Sequence, residues 1–140
     1  MRHQYVRRLG AALAVSATLV VSGCATSPAV QDLCTNAKNL STAVEDMRAL
    51  KPDGTKVDAL TAKVDAALAK LDRFQAVTEG RFDSAVSTLR ANLDSFRQAL
   101  AAAGNDAFAA AAPQLTTSLK DVSTAYAALS ESLATQCKAG

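Results

Sequence analysis

Apolar side chains recur along most of the chain at alternating steps of three and four residues, with polar residues between them. This spacing places the apolar side chains on one face of an α-helix, because an α-helix has about 3.6 residues per turn. Alanine is abundant and β-branched runs are scarce, which also favours helix. The pattern predicts four amphipathic helices, over residues 31–50, 55–78, 81–103 and 106–137.

The apolar face of each predicted helix, called its seam below, is the expected core of the protein. On the fourth helix, Tyr126 lies on the seam, which favours a core position over a catalytic role. The four seams, in chain order, are Leu33, Ala37, Leu40, Val44 and Met47; Val57, Leu60, Val64, Ala67, Leu71 and Phe74; Phe82, Val86, Leu89, Leu93, Phe96 and Leu100; and Phe108, Ala112, Leu115, Leu119, Val122, Tyr126, Leu129 and Leu133.

Glycine and proline mark the connections between the predicted helices. Residues 51–54, with the sequence KPDG, are a strong turn signal, and Gly104 follows the third helix as a glycine past a helix end often does. The seam slips in phase near Gly80, which predicts a turn at 78–82, although one continuous helix of about 50 residues remains an alternative. Pro113 either kinks the fourth helix or marks the start of its main part.

The first 23 residues follow a different pattern, a basic start and then a short apolar run. Its first eight residues include three arginines and no acidic residue, and the stretch from Leu9 to Gly23 carries no charge. A membrane-spanning helix needs about 20 apolar residues, so this shorter run is typical of an export signal. The run ends in Val21-Ser22-Gly23-Cys24, an aliphatic residue and two small residues before a cysteine.

This segment resembles the signal and lipobox of bacterial lipoproteins. The resemblance implies that the Cys24 sulfur receives a diacylglyceryl group and that cleavage follows before Cys24. Residues 1–23 would then be the signal peptide, residues 24–30 a lipidated tether and residues 31–140 a helical bundle domain. Two acyl chains give stable anchoring, so we expect a protein on the extracytoplasmic face of the cell membrane. An ordinary secretory signal with a chance cysteine and an uncleaved membrane anchor are the alternatives.

Removal of the signal changes the charge and the available chemistry. The remaining chain has 12 basic and 13 acidic residues, a net charge of −1, and no basic stripe with interleaved aromatics, so we expect no nucleic-acid partner. The only histidine, His3, lies in the signal, which removes most general-base, triad and metal-site schemes. Carboxylates such as Asp65 and Asp94 fall on polar faces. We therefore expect no enzymatic activity, no metal and no cofactor.

The remaining cysteines indicate both a covalent link and a topology. If Cys24 is acylated, Cys34 and Cys137 are an even pair outside the cytoplasm, where disulfides form, and two free thiols are the alternative. A Cys34–Cys137 bridge joins the start of the first predicted helix to the end of the fourth. These positions share one end of an up-down-up-down four-helix bundle, the predicted all-α fold. A compact three-helix bundle would place the two cysteines at opposite ends. A layout in which the first and fourth helices lie end to end along one long central helix would also bring the two cysteines together.

The body of the chain, over about residues 31–137, also resembles small Ala-rich helical proteins exported by actinobacteria. The similar segments are LCTNAKNLSTAVEDM, GTKVDALTAKVDAALAKL and FDSAVSTLRANLDSF, with an early and a late cysteine. This resemblance implies a fold and an extracytoplasmic address and no particular activity.

The most unusual local run is 107–112, a phenylalanine among alanines. Phe108, Ala110 and Ala111 are therefore a candidate contact surface, and close helix packing is the alternative for the same residues. We expect the chain to bind another envelope protein or to support envelope structure. A carrier that holds a lipid or another apolar ligand between its helices is the alternative function.

Overall fold

A computed structural model describes residues 27–50 and 56–137 of the chain. The predicted signal peptide, Cys24 and the predicted turn at 51–54 lie outside the described residues. The four predicted helices are confirmed, and the described residues hold no strand. The helices are α1 (Pro28–Ala49), α2 (Val57–Thr78), α3 (Asp83–Ala103) and α4 (Phe108–Cys137).

Helix α1 begins three residues earlier than the seam predicts. Ser27 caps the helix, since its hydroxyl oxygen accepts a hydrogen bond from the Val30 N–H at 3.4 Å. Pro28 follows at the first helical position, where a missing N–H costs nothing because that N–H would have no partner within the helix. Residues 28–30, expected in the tether, therefore form the first turn of α1.

A turn, and not a continuous helix, connects α2 to α3. Glu79 and Gly80 have φ angles of 51° and 81°, both in the left-handed region, which ends the right-handed helix. The N–H of Arg81 donates to the Thr78 carbonyl at 3.1 Å and closes the turn. The turn predicted at 78–82 is therefore confirmed.

Each helix packs against two others, in the order α1–α2, α2–α3, α3–α4 and α4–α1. Ion pairs between α2 and α3 show that these helices are antiparallel. Asp65 pairs with Arg97 and Asp72 with Arg90, so seven residues forward on α2 correspond to seven residues back on α3. The protein is the predicted up-down-up-down four-helix bundle, and neither the three-helix bundle nor the end-to-end layout fits these contacts.

The seams meet in one hydrophobic core. Nearly every predicted member from α1, α2 and α3 is at most 8% exposed, Ala37 being half-buried. The seam of α4 is less complete, because Leu115 and Val122 are buried whereas four other members are half-buried, namely Phe108, Ala112, Leu119 and Tyr126. The last three of these are spaced by seven and so share one edge of α4. The core position predicted for Tyr126 is therefore only partly correct.

Pro113 lies inside α4, five residues after the helix begins. The alternative in which the main helix starts at Pro113 is wrong. A proline there has no N–H to donate to the carbonyl one turn earlier. Two threonine hydroxyls beyond the proline bond carbonyls one turn back: Thr116 donates to the Ala112 carbonyl at 2.9 Å and Thr117 to that of Pro113 at 3.1 Å.

Candidate functional site

A disulfide joins α1 to α4. Cys34 lies in the second turn of α1 and Cys137 is the last residue of α4, with Cα atoms 5.6 Å apart and both side chains half-buried. This separation is ordinary for a disulfide. The predicted Cys34–Cys137 bridge is confirmed, and it closes the bundle at one end.

We call this end of the bundle the disulfide end. It contains the start of α1, the turn between α2 and α3, and the end of α4. Arg81 ties the turn to α4, because its Nε donates to the Thr78 carbonyl at 3.1 Å and its Nη1 donates to Oε1 of Gln136 at 3.2 Å. The opposite end, called the distal end, contains the end of α1, the start of α2 and the connection at 104–107.

The predicted lipidation residue, Cys24, lies outside the described residues. Ser27, the cap of α1, is three residues after Cys24 along the chain. Three residues span at most about 10 Å. The residue predicted to carry the lipid is therefore joined by a short segment to the disulfide end of the bundle.

The predicted contact surface lies at the distal end, and its three residues do not share one environment. Phe108 and Ala111 are half-buried and pack against the core, whereas Ala110 is exposed. One helical turn separates Phe108 from Ala111, so these two face inward together, as the packing alternative expected. Ala110 belongs to the outer face of α4.

Three acidic residues of the polar faces, Asp46, Asp65 and Asp72, take part in ion pairs between neighbouring helices. Lys63 on α2 pairs with Asp46 on α1 at 3.4 Å, and Arg97 on α3 pairs with Asp65 on α2 at 3.1 Å. These side chains are about half exposed, so each pair contributes about 1 kcal/mol or less. Within 27–50 and 56–137, no group of three or more histidine, cysteine or acidic side chains could hold a metal ion.

A groove of about 330 Å³ runs between α1 and α4, beside the disulfide. Ala37 and Ala134 leave space on the two helices, and Leu133 and the Tyr126 ring supply apolar surface. Lys38 stands on the α1 side of the groove. The seam pattern did not predict this groove, because periodicity shows which face of a helix is apolar and not which edge of that face stays uncovered.

A second cleft, of about 180 Å³, lies between α1 and α2 and is more polar. Asn39, Thr42, Lys63 and Lys70 line it together with Asp46, which pairs with Lys63. This cleft contains its own counter-charge, unlike the α1–α4 groove.

No family model, no curated protein and no solved structure matches the chain. The resemblances to lipoproteins and to exported actinobacterial proteins therefore stay predictions. None of the helices in the described part of the chain is long and apolar enough to cross a membrane.

Proposed function

We propose that the chain is a lipid-anchored, extracytoplasmic helical bundle that binds another envelope protein or supports envelope structure. Cys24 carries the anchor in this proposal, and the four helices form a rigid body outside the cell membrane. Catalysis by the chain's own side chains is not part of it.

The observation that carries the proposal is the position of Cys24, the predicted lipidation residue, relative to the bundle along the chain. Cys24 precedes the capped start of α1 by three residues, and the disulfide fixes α1 to α4 ten residues after Cys24. An anchor at Cys24 would hold the disulfide end near the membrane. A helix of 22 residues is about 33 Å long, so the distal end would project into the envelope space.

The outer face at the start of α4 suits contact with a protein partner. Residues 108–119 include no charged side chain, and Ala109, Ala110, Gln114 and Thr117 are exposed there. The centres of protein interfaces are depleted in charged residues, because each buried charge must be desolvated. This surface lies at the distal end, where an anchored bundle would meet its partner.

Ala110→Glu tests the partner surface, with Ala127→Glu, exposed on the same helix, as the matched control. We expect Ala110→Glu to reduce the recovery of cross-linked partners from membranes severalfold, and Ala127→Glu to leave it unchanged. Circular dichroism of both variants should show unchanged helix content. Equal partner recovery by Ala110→Glu and the unsubstituted protein would show that this face of α4 does not contact the partner.

Two carboxylate substitutions test whether the function is enzymatic. Asp65→Asn and Asp94→Asn should each leave function intact, because surface changes of this kind shift stability by about 0.5 kcal/mol or less. Asp65 loses an exposed ion pair with Arg97 and no buried contact. Loss of activity in a folded variant of either residue would contradict the non-enzymatic function.

A second candidate function is a carrier of an apolar ligand. The observation that favours it is the α1–α4 groove, which lies on the surface between two helices and not within the core. The groove is near the disulfide end, whereas the partner surface is at the distal end, so the two functions use different parts of the bundle.

A further inference from the structure

We infer that the α1–α4 groove binds one acyl chain bearing an anionic head group, with Lys38 as the cation for that head group. The ligand class is a single-chain anionic amphiphile, for which a fatty carboxylate serves as the probe below. This binding rests on the carrier function proposed for the same groove and names its ligand class; it does not depend on the surface of α4 at the distal end. Its membrane source rests on the proposed anchoring.

The shape and the lining of the groove suit a chain of methylene groups. Its volume of about 330 Å³ lies at the lower end of the usual range for small-ligand sites. From Cys34 to Ser41 the α1 side of the groove extends about 10 Å. Ala37, Leu133 and Ala134 provide apolar walls, and burial of each CH₂ group there contributes about 0.8 kcal/mol.

The charges around the groove favour an anion over a neutral or cationic head group. Lys38 lines the groove, makes no ion pair among the described residues, and no lining residue is acidic. Ser41 donates its hydroxyl to Glu45 at 3.4 Å, which leaves the hydroxyls of Tyr126 and Ser130 as donors to a ligand. In the α1–α2 cleft, by contrast, Asp46 already neutralises Lys63.

The position of the groove makes membrane amphiphiles the nearest source. The groove begins at the disulfide, and Cys24 precedes Cys34 by ten residues. If Cys24 carries the anchor, the groove opens close to the lipid headgroups. A chain leaving the outer leaflet would then reach the groove before it reached the distal end.

Tyr126 provides a direct probe of groove occupancy. It lines the groove and is the only tyrosine after Cys24 in a chain without tryptophan. We would place the full lipidated protein in phosphatidylcholine vesicles and titrate it with bromododecanoate, whose bromine quenches tyrosine fluorescence on contact. Quenching should saturate, and Tyr126→Phe, which removes the tyrosine emission itself, serves as the background sample. Bromododecanol, which has the same chain without the charge, should bind more weakly.

Two pairs of variants locate the site. Lys38→Gln should weaken dodecanoate binding about three- to fivefold, the effect of losing one exposed charge pair, whereas Lys70→Gln at the other cleft should leave it unchanged. Ala134→Leu should fill the groove and abolish saturable quenching, whereas Ala62→Leu, exposed on α2, should not. Circular dichroism would check that each variant is folded.

Two results would overturn the inference. Quenching that does not saturate would show that the amphiphile only partitions into the bilayer. Equal affinity for bromododecanoate and bromododecanol would show that Lys38 does not bind the head group. Flotation of the vesicles in the same samples tests the anchor separately. Loss of groove binding with retained flotation refutes the groove alone. Retained groove binding by a Cys24→Ser protein that floats as well as the unsubstituted protein refutes the anchor alone.

Discussion

At the scale of single residues, the α2–α3 turn depends on two consecutive left-handed residues. Glycine adopts positive φ without strain, whereas a side chain there costs about 1–2 kcal/mol. Gly80 has φ of 81°, and a Cβ on it would lie 3.4 Å from Oδ2 of Asp83. Glu79 takes φ of 51° although it is not glycine. The sequence predicted the turn from Gly80, but no local signal indicated the conformation of Glu79.

Gly80→Ala should lower the free energy of unfolding by about 1–2 kcal/mol, because alanine disfavours the left-handed conformation that the turn requires. Ser87→Ala, at an exposed position inside α3, is the matched control and should be neutral or slightly stabilising. Urea unfolding followed by circular dichroism measures both changes. A Gly80→Ala protein as stable as the control would contradict this account of the turn.

The core and the groove differ in how well single positions could be predicted. Leu71 and Leu93, like most members of the first three seams, are buried as their three-and-four spacing indicates. Tyr126 obeys the same spacing and is only half-buried, because the edge of α4 beside the groove is incompletely covered by α1. Lys38 had no signal of its own, since a lysine beside a seam is common on any amphipathic helix.

At the scale of helices, charge pairs align α2 with α3. Asp65 and Asp72 are seven residues apart on α2, as are Arg90 and Arg97 on α3, so an antiparallel arrangement brings opposite charges together twice. The spacing is visible in the sequence, and it could have suggested this register. The seam pattern alone could not, because it gives the apolar face of each helix and not its neighbour.

Reversing both acids, in Asp65→Lys with Asp72→Lys, should lower the free energy of unfolding by about 1–2 kcal/mol, because two attractive pairs become repulsive. Adding Arg90→Glu and Arg97→Glu restores opposite charges and should recover most of the loss. High salt should reduce both effects, since these side chains are 34% to 62% exposed. If the fourfold variant is less stable than the double variant, the pairs do not set this register.

At the scale of the whole molecule, the α1–α4 contact differs from the others. Polar contacts tie α1 to α2 through Lys63, α2 to α3 through Arg97, and α3 to α4 through Asn92, which donates to the Asp121 carbonyl. A disulfide ties α1 to α4 across the groove. Its cysteines are 103 residues apart, and closing such a loop contributes up to about 4.7 kcal/mol in the chain-entropy model.

Replacing both Cys34 and Cys137 with serine should lower the free energy of unfolding by about 2–5 kcal/mol, the usual cost of losing a native disulfide. This is a large share of the 5–15 kcal/mol typical of a domain, so the variant should unfold at a clearly lower temperature. Peptide mapping without reductant should find the two cysteines linked in the exported protein. Free thiols at both positions would contradict the covalent closure of the bundle.

The topology could be predicted from the sequence because several independent signals agree. Four seams, the turn at Gly80 and a cysteine near each end of the body are compatible with few arrangements, and the structure has one of them. The location of the predicted contact surface was harder to predict. Phe108 and Ala111 pack inward, and only Ala110 of the predicted three is exposed, because a run of alanines gives little contrast between the two faces of a helix.

The intact mass of the protein extracted from its host membranes tests whether Cys24 anchors the bundle. We expect a chain that begins at Cys24 and carries a diacylglyceryl group, with two hydrogens missing because of the Cys34–Cys137 bridge. The same extraction of Cys24→Ser should yield no lipidated species. An unmodified Cys24, or a full-length chain that keeps residues 1–23, would contradict the account.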